Sequence, residues 1–241
     1  MYQRGDFLYE GKAKKLYKVQ SFDDLIWVEF KDSLTAFNAE KKGQFSDKGL
    51  INSKISHYIF NYLTEQNIKT HLVELVEPQV WVTKKLDMIP LEVVVRNQVA
   101  GSLAKKFHLP KGKKLKKPLV EFYYKSDELQ DPFVSAEQIE CLDLYSNLEI
   151  LSDLKSLGLK VNESLKSFFK KIDLDLIDFK LEFGCNDKGE IVLADEISPD
   201  SCRLWDSKSG DNLDKDRFRY DQGKVEESYK EVLNRIERVY A

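Results

Sequence analysis

Asp178-Phe179-Lys180-Leu181-Glu182-Phe183-Gly184, followed after a turn by Ile191-Val192-Leu193-Ala194-Asp195-Glu196, decides how this chain reads. Charged and apolar residues alternate in the first stretch. That is the period of a strand with one polar face, so Asp178, Lys180 and Glu182 point the same way. Asn186, Asp187 and Gly189 supply turn chemistry, and the apolar run 191–194 supplies a second strand. Such a hairpin brings Glu182 and Asp195 near each other. Adjacent carboxylates repel unless a cation lies between them. Hard oxygen donors favour Mg²⁺, which on only two carboxylates usually also binds phosphates. The hairpin therefore predicts a nucleotide site. Asp200 and Arg203, in a loop read over 195–206, add to the charged cluster.

Working outward, residues 7–31 read as two short strands and 32–38 as a loop. A helix runs from 48 to 65, with strands at 72–76, 79–84 and 91–95. Pro90 is expected to break the chain before the last of these. The Lys-rich segment 108–118 reads as an exposed loop. Residues 135–171 carry two helical patterns, the better one presenting Val161, Leu165, Phe168, Phe169 and Ile172 on one face. A last helix spans 223–240. Strands early, then helices and a hairpin, indicate α+β, with a domain boundary near 86–90.

Lys12 and Lys14, alternating in a strand, would share a face and suit a polyphosphate. Arg96 at a strand end can bind phosphate or carboxylate through two parallel hydrogen bonds, and Ser102 can cap a helix beside it. Neither Gly-x-x-x-x-Gly-Lys-Ser/Thr nor Gly-x-Gly-x-x-Gly occurs, so side chains and a metal must hold any nucleotide. A net charge of −3 gives no overall basic field for nucleic acid. No apolar run is long enough to span a membrane, and the first residues lack a signal-peptide core. Three widely spaced cysteines point to a reducing, cytoplasmic setting.

The chain resembles the SAICAR synthetases, the phosphoribosylaminoimidazole-succinocarboxamide synthases of purine biosynthesis. The resemblance rests on the ordered stretches 9–14, 35–38, 84–92, 94–102, 125–127, 131–132, 178–184, 195–206 and 213–219. It implies a small N-terminal antiparallel-sheet domain (1–88) that binds nucleotide. It also implies a larger α/β C-terminal domain (89–241) for substrate and metal, with an ATP-grasp- or kinase-like cleft. The implied activity is ATP-dependent ligation of L-aspartate to the carboxylate of carboxyaminoimidazole ribonucleotide, releasing ADP and phosphate. Partners are then small molecules, with neither nucleic acid nor membrane, in a homodimer.

By the same resemblance, Lys12, Lys14, Lys84, Asp87, Met88 and Lys125 would contact ATP, and Glu182 and Asp195 would hold Mg²⁺. Arg96, Ser102 and Arg203 would grip the ribonucleotide phosphate. Asp178, Lys180 and Asp200 would surround the imidazole carboxylate, with Asp178 or Asp200 a candidate proton acceptor. Asn38 would face substrate. Phosphorylation of the carboxylate would make an acyl phosphate that the amine can attack. A phosphotransferase that stops at phosphorylated product, or a nucleotide sensor, would differ in whether aspartate is needed for ADP release.

Overall fold

The computed structural model describes residues 1–36 and 40–241. In chain order its elements are β1 (Arg4–Glu10), β2 (Lys14–Val19), β3 (Phe22–Phe30), β4 (Ser33–Ala36), β5 (Lys41–Gln44), α1 (Lys48–Glu65), β6 (Leu72–Glu77), β7 (Val80–Lys84) and β8 (Asp87–Gln98). There follow α2 (Gly101–Phe107), β9 (Lys114–Tyr124), β10 (Phe133–Val134), α3 (Ala136–Cys141), α4 (Ile150–Lys170), β11 (Leu174–Cys185), β12 (Ile191–Ala194), β13 (Cys202–Asp206), α5 (Asp216–Arg219) and α6 (Val225–Tyr240).

Two antiparallel sheets divide the strands. One has the order β1-β2-β3-β7-β6; the other has β10-β9-β8-β11-β12, with β13 also paired to β11. The sheet changes at Lys85-Leu86, between β7 and β8. One apolar core nevertheless joins the parts. Ile51, Ile55 and Ile59 of α1 belong to the same cluster as Val93 of β8 and Val232 of α6. The buried stripe of α4 (Leu154, Val161, Leu165, Phe168) covers the second sheet. Gly158 lets α4 approach closely, since a Cβ there would lie 3.3 Å from both Val93 and Val95.

The hairpin read from the sequence is β11–β12. Asn186 and Glu190 close it, Gly189 takes φ +73, and Glu182 pairs with Ala194. Several expected boundaries differ. The first segment makes three strands, and Lys12 lies in the bend between β1 and β2 rather than on a strand. Four residues of the expected loop after it, Ser33–Ala36, pair with Lys41–Gln44. Pro90 sits inside β8, where the β8–β11 register shifts between Glu182 and Gly184, so its missing N–H costs no regular ladder bond. The Lys-rich loop already contains the start of β9, and 202–206 is strand β13. Ser102 lies within α2, and Ala100 occupies its N-cap position without a side-chain cap.

Candidate active site

Between the two sheets lies a cleft of about 750 Å³. One wall is an apolar patch built by cross-strand neighbours: Leu16 beside Val28, Val28 beside Trp81, and Ile26 beside Thr83. The facing wall is charged. Lys180 on β11 donates to Glu92 at 2.9 Å and to Glu182 at 2.5 Å, and lies 3.8 Å from Asp195. Lys125 also donates to Glu182. Lys14 donates to Asp195 and sits 3.1 Å from Glu196. Burial opposes charge on Lys14 and Asp195, but their partners outweigh it. Lys14 is therefore held above the usual lysine range by Asp195 and Glu196, and Asp195 well below the carboxylate range by Lys14 and Lys180.

A smaller cavity of about 310 Å³ adjoins the first. Lys12, Glu92, Lys180, Asp200 and Lys215 line both. Its defining feature follows from strand register. Arg96 of β8, Asp178 of β11 and Arg203 of β13 stand opposite one another across three neighbouring strands. Arg96 donates to Asp178 at 2.8 Å, and Arg203 donates to the same carboxylate at 2.9 Å. The row extends outward, because Arg96 also donates to Glu121 at 2.6 Å and to the Ser102 hydroxyl at 2.9 Å. Arg203 also donates to Asp216 at 2.9 Å, and Asp216 accepts from Arg219 at 2.7 Å. Guanidinium and carboxylate groups thus alternate from Arg219 to Glu121. Alternation makes it tolerable to bury so many charges, since each has a hydrogen-bonded opposite.

Asp200 is held by two helices. Lys48 and Asn52 of α1 donate to one oxygen at 2.5 and 2.9 Å, and Tyr229 of α6 donates to the other at 2.6 Å. Burial opposes its ionisation, yet Lys215 and Lys48 keep its carboxyl well below the usual range.

Of the residues singled out from sequence, Lys12, Lys14, Lys84, Met88, Lys125, Lys180, Glu182, Asp195 and Asp200 line the larger cleft. Arg96, Asp178 and Arg203 line the smaller one, with Ser102 bonded to Arg96 behind it. Asp87 lines neither cavity and instead pairs with Cys185 across the strands. Asn38 lies outside the described residues. Sequence reasoning did not single out Glu92, His71, Lys215 or Arg219, all of which line these cavities. The charge-dense run 213–219 was the available signal for the last two. Nothing in the sequence marked His71, which is buried and pushed down to about 3, first by burial and then by Lys14.

Among the described residues, no three or more His, Cys, Asp or Glu side chains converge on one metal position. The Glu182–Asp195 pair offers oxygen donors only, beside lysines suited to phosphates. That set fits Mg²⁺ held chiefly by a nucleotide, because Mg²⁺ keeps octahedral oxygen ligation and binds through one or two carboxylates.

The SAICAR synthetase family pattern matches residues 7–236. A phosphoribosylaminoimidazole-succinocarboxamide synthase from a Nitratiruptor species is 52% identical over 98% of this chain and 99% of its own length. A solved SAICAR synthetase (Type-2) in complex with ADP superposes with a TM-score of 0.91 at 48% identity, covering 97% of this chain and 98% of that one. The phosphoribosylaminoimidazole-succinocarboxamide synthase of Ehrlichia chaffeensis gives a TM-score of 0.92 at 41% identity, over 96% of this chain and 98% of that one. With an α+β architecture of two antiparallel sheets and a charged cleft between them, this chain belongs to the SAICAR synthetase family.

Proposed function

We infer that the protein is an ATP-dependent ligase. It joins L-aspartate to the carboxylate of carboxyaminoimidazole ribonucleotide and releases ADP and phosphate, a step of de novo purine biosynthesis. The observation that carries this reading is the meeting of two cavities at Lys180: one has an apolar wall and a lysine-rich wall, and the other is ringed by arginines. The first suits a nucleoside triphosphate and the second a phosphorylated acceptor, so the acceptor carboxylate meets the γ-phosphoryl group where they join.

In this reading Lys84 and Met88 frame the base, while Lys12, Lys14 and Lys125 neutralise the phosphates. Glu182 and Asp195 would hold Mg²⁺, which when bound offsets phosphate charge during transfer. Lys180 faces the acceptor carboxylate. Arg96, Ser102 and Arg203 hold the ribonucleotide phosphate. Asp178 accepts from Arg96 and Arg203, and both oxygens of Asp200 are taken by Lys48, Asn52 and Tyr229. A carboxylate so fully bonded is a weak proton acceptor, so both are assigned to positioning rather than to base catalysis. The division at residues 88/89 into a nucleotide part and a substrate part is supported by the change of sheet just before it. A cytoplasmic setting is supported by the three unpaired cysteines. A homodimer is retained from the family resemblance.

The test is ADP release with ATP and the ribonucleotide, with and without aspartate. Release that requires all three is expected. Release without aspartate would mark a simple phosphotransferase, and nucleotide binding with no aspartate-dependent phosphate release would mark a sensor.

A further inference from the structure

Both cavities open onto three lysine ammonium groups: Lys12, Lys180 and Lys215. Two are committed. Lys12 donates to Asp127 at 2.7 Å, and Lys180 serves Glu92 and Glu182. Lys215 is different. Its closest carboxylate oxygen, on Asp200, is 3.9 Å away, beyond hydrogen-bond reach, and among the described residues its ammonium donates to no group. Its side chain is only 15% exposed. Burial, then the charges of Arg219 and Lys48, pull it below the usual lysine range although Asp200 opposes them. Among the described residues, this buried cation has one long ion pair, to Asp200, and no hydrogen-bonded anion.

The backbone holds this lysine in place. The Lys215 N–H donates to the Pro199 carbonyl at 3.0 Å. On one side of Lys215, Asp214 is fully buried and accepts from the backbone N–H groups of Leu204 and Asp216 at 2.9 and 2.7 Å. The backbone of Lys215 is thus fixed beside the junction, and its side chain is mostly buried there.

Resting on the ligase reading above, we propose that Lys215 anchors a carboxylate of the incoming amino acid. The reacting carbon must lie where the cavities join, so the amine must be delivered there. Arg96 is ion-paired to Asp178 and Glu121, and Arg203 to Asp178 and Asp216; in the ligase reading both face the acceptor phosphate. Arg219, which among the described residues makes one side-chain hydrogen bond and lines the smaller cavity, is placed to take the second carboxylate of a dicarboxylic amino acid.

The experiment is steady-state kinetics of Lys215→Met and Lys215→Arg, varying ATP, ribonucleotide and aspartate separately. In Lys215→Met the KM for aspartate is expected to rise about 10–100-fold, the scale of one lost charge-assisted hydrogen bond, with the other two KM values within about threefold. Lys215→Arg should recover most of the loss, because it restores the charge. A rise confined to the ribonucleotide KM, an equal fall with all substrates, or no change in the aspartate KM overturns the assignment. Wild-type protein that releases no ADP with all three substrates instead overturns the ligase reading beneath it.

Discussion

Lys48, on the first helix and 1% exposed, places its ammonium 2.5 Å from the carboxylate of Asp200, in the loop before β13. The pair ties α1 to the junction of the two cavities, and Tyr229 ties α6 to the same carboxylate. Replacing Lys48 by Met leaves Asp200 with Asn52 and Tyr229 but without its closest buried cation. Removing one member of a buried ion pair costs about 3–5 kcal/mol. A loss of that size is expected in denaturant unfolding of Lys48→Met. A loss under about 1 kcal/mol would show that Asn52, Tyr229 and Lys215 suffice.

Glu182 on β11 and Asp195, the residue just after β12, face one cleft, each beside Lys180. Glu182→Ala or Asp195→Ala should lower turnover at least ~100-fold, the scale of losing a preorganised electrostatic group. The measurement is ADP release at saturating Mg²⁺. Rates close to wild type there would rule out the metal role.

Gly101 has φ +52, and a Cβ on it would lie 2.5 Å from the Arg203 guanidinium. Gly101→Ala therefore strains the backbone by about 1 kcal/mol and displaces Arg203. The expected result is a KM for the ribonucleotide raised by roughly tenfold or more, with the KM for ATP little changed. An unaltered ribonucleotide KM would separate Arg203 from phosphate binding.

Asp214 is pushed up from 3.8 to about 7 by burial and then by the charge of Asp216. The native state keeps a proton there that the unfolded chain has released, so this group makes stability fall as pH rises from 3.8 to about 7. The contribution is fully present below that window and lost above it. Asp195 and Asp200, held low, act in the opposite sense, and their stabilisation is lost only as pH falls below the ordinary carboxylate range. Thermal unfolding across this range should show a downward slope in the wild type that flattens in Asp214→Asn, whatever the absolute Tm of the variant. Equal slopes in the two proteins would contradict the assignment.

What could be read without coordinates was what depends on short spacing. Period-two alternation in 178–182 put three charged residues on one face, and β11 keeps Lys180 and Glu182 on the larger cleft and Asp178 and Lys180 on the smaller. The helical stripe of α4 and the start of α1 at Lys48 were equally local. Strands such as β4, β9 and β13 were missed because their ladders are made with partners the local pattern does not reveal. Lys114 reads as loop until β8 pairs with it, Gln98 standing opposite.

Local spacing alone was therefore enough for the polar face of the hairpin and for helices α1 and α4. Which charges meet one another was set by the packing of distant segments. Arg96, Asp178 and Arg203 come from three distant segments and meet only because β8, β11 and β13 align in register. Among the described residues, Lys215 is left without a hydrogen-bonded anion for the same reason. Ion pairing depends on distances of a few ångströms between segments far apart in the chain, and those distances are set by sheet register and helix packing rather than by local sequence.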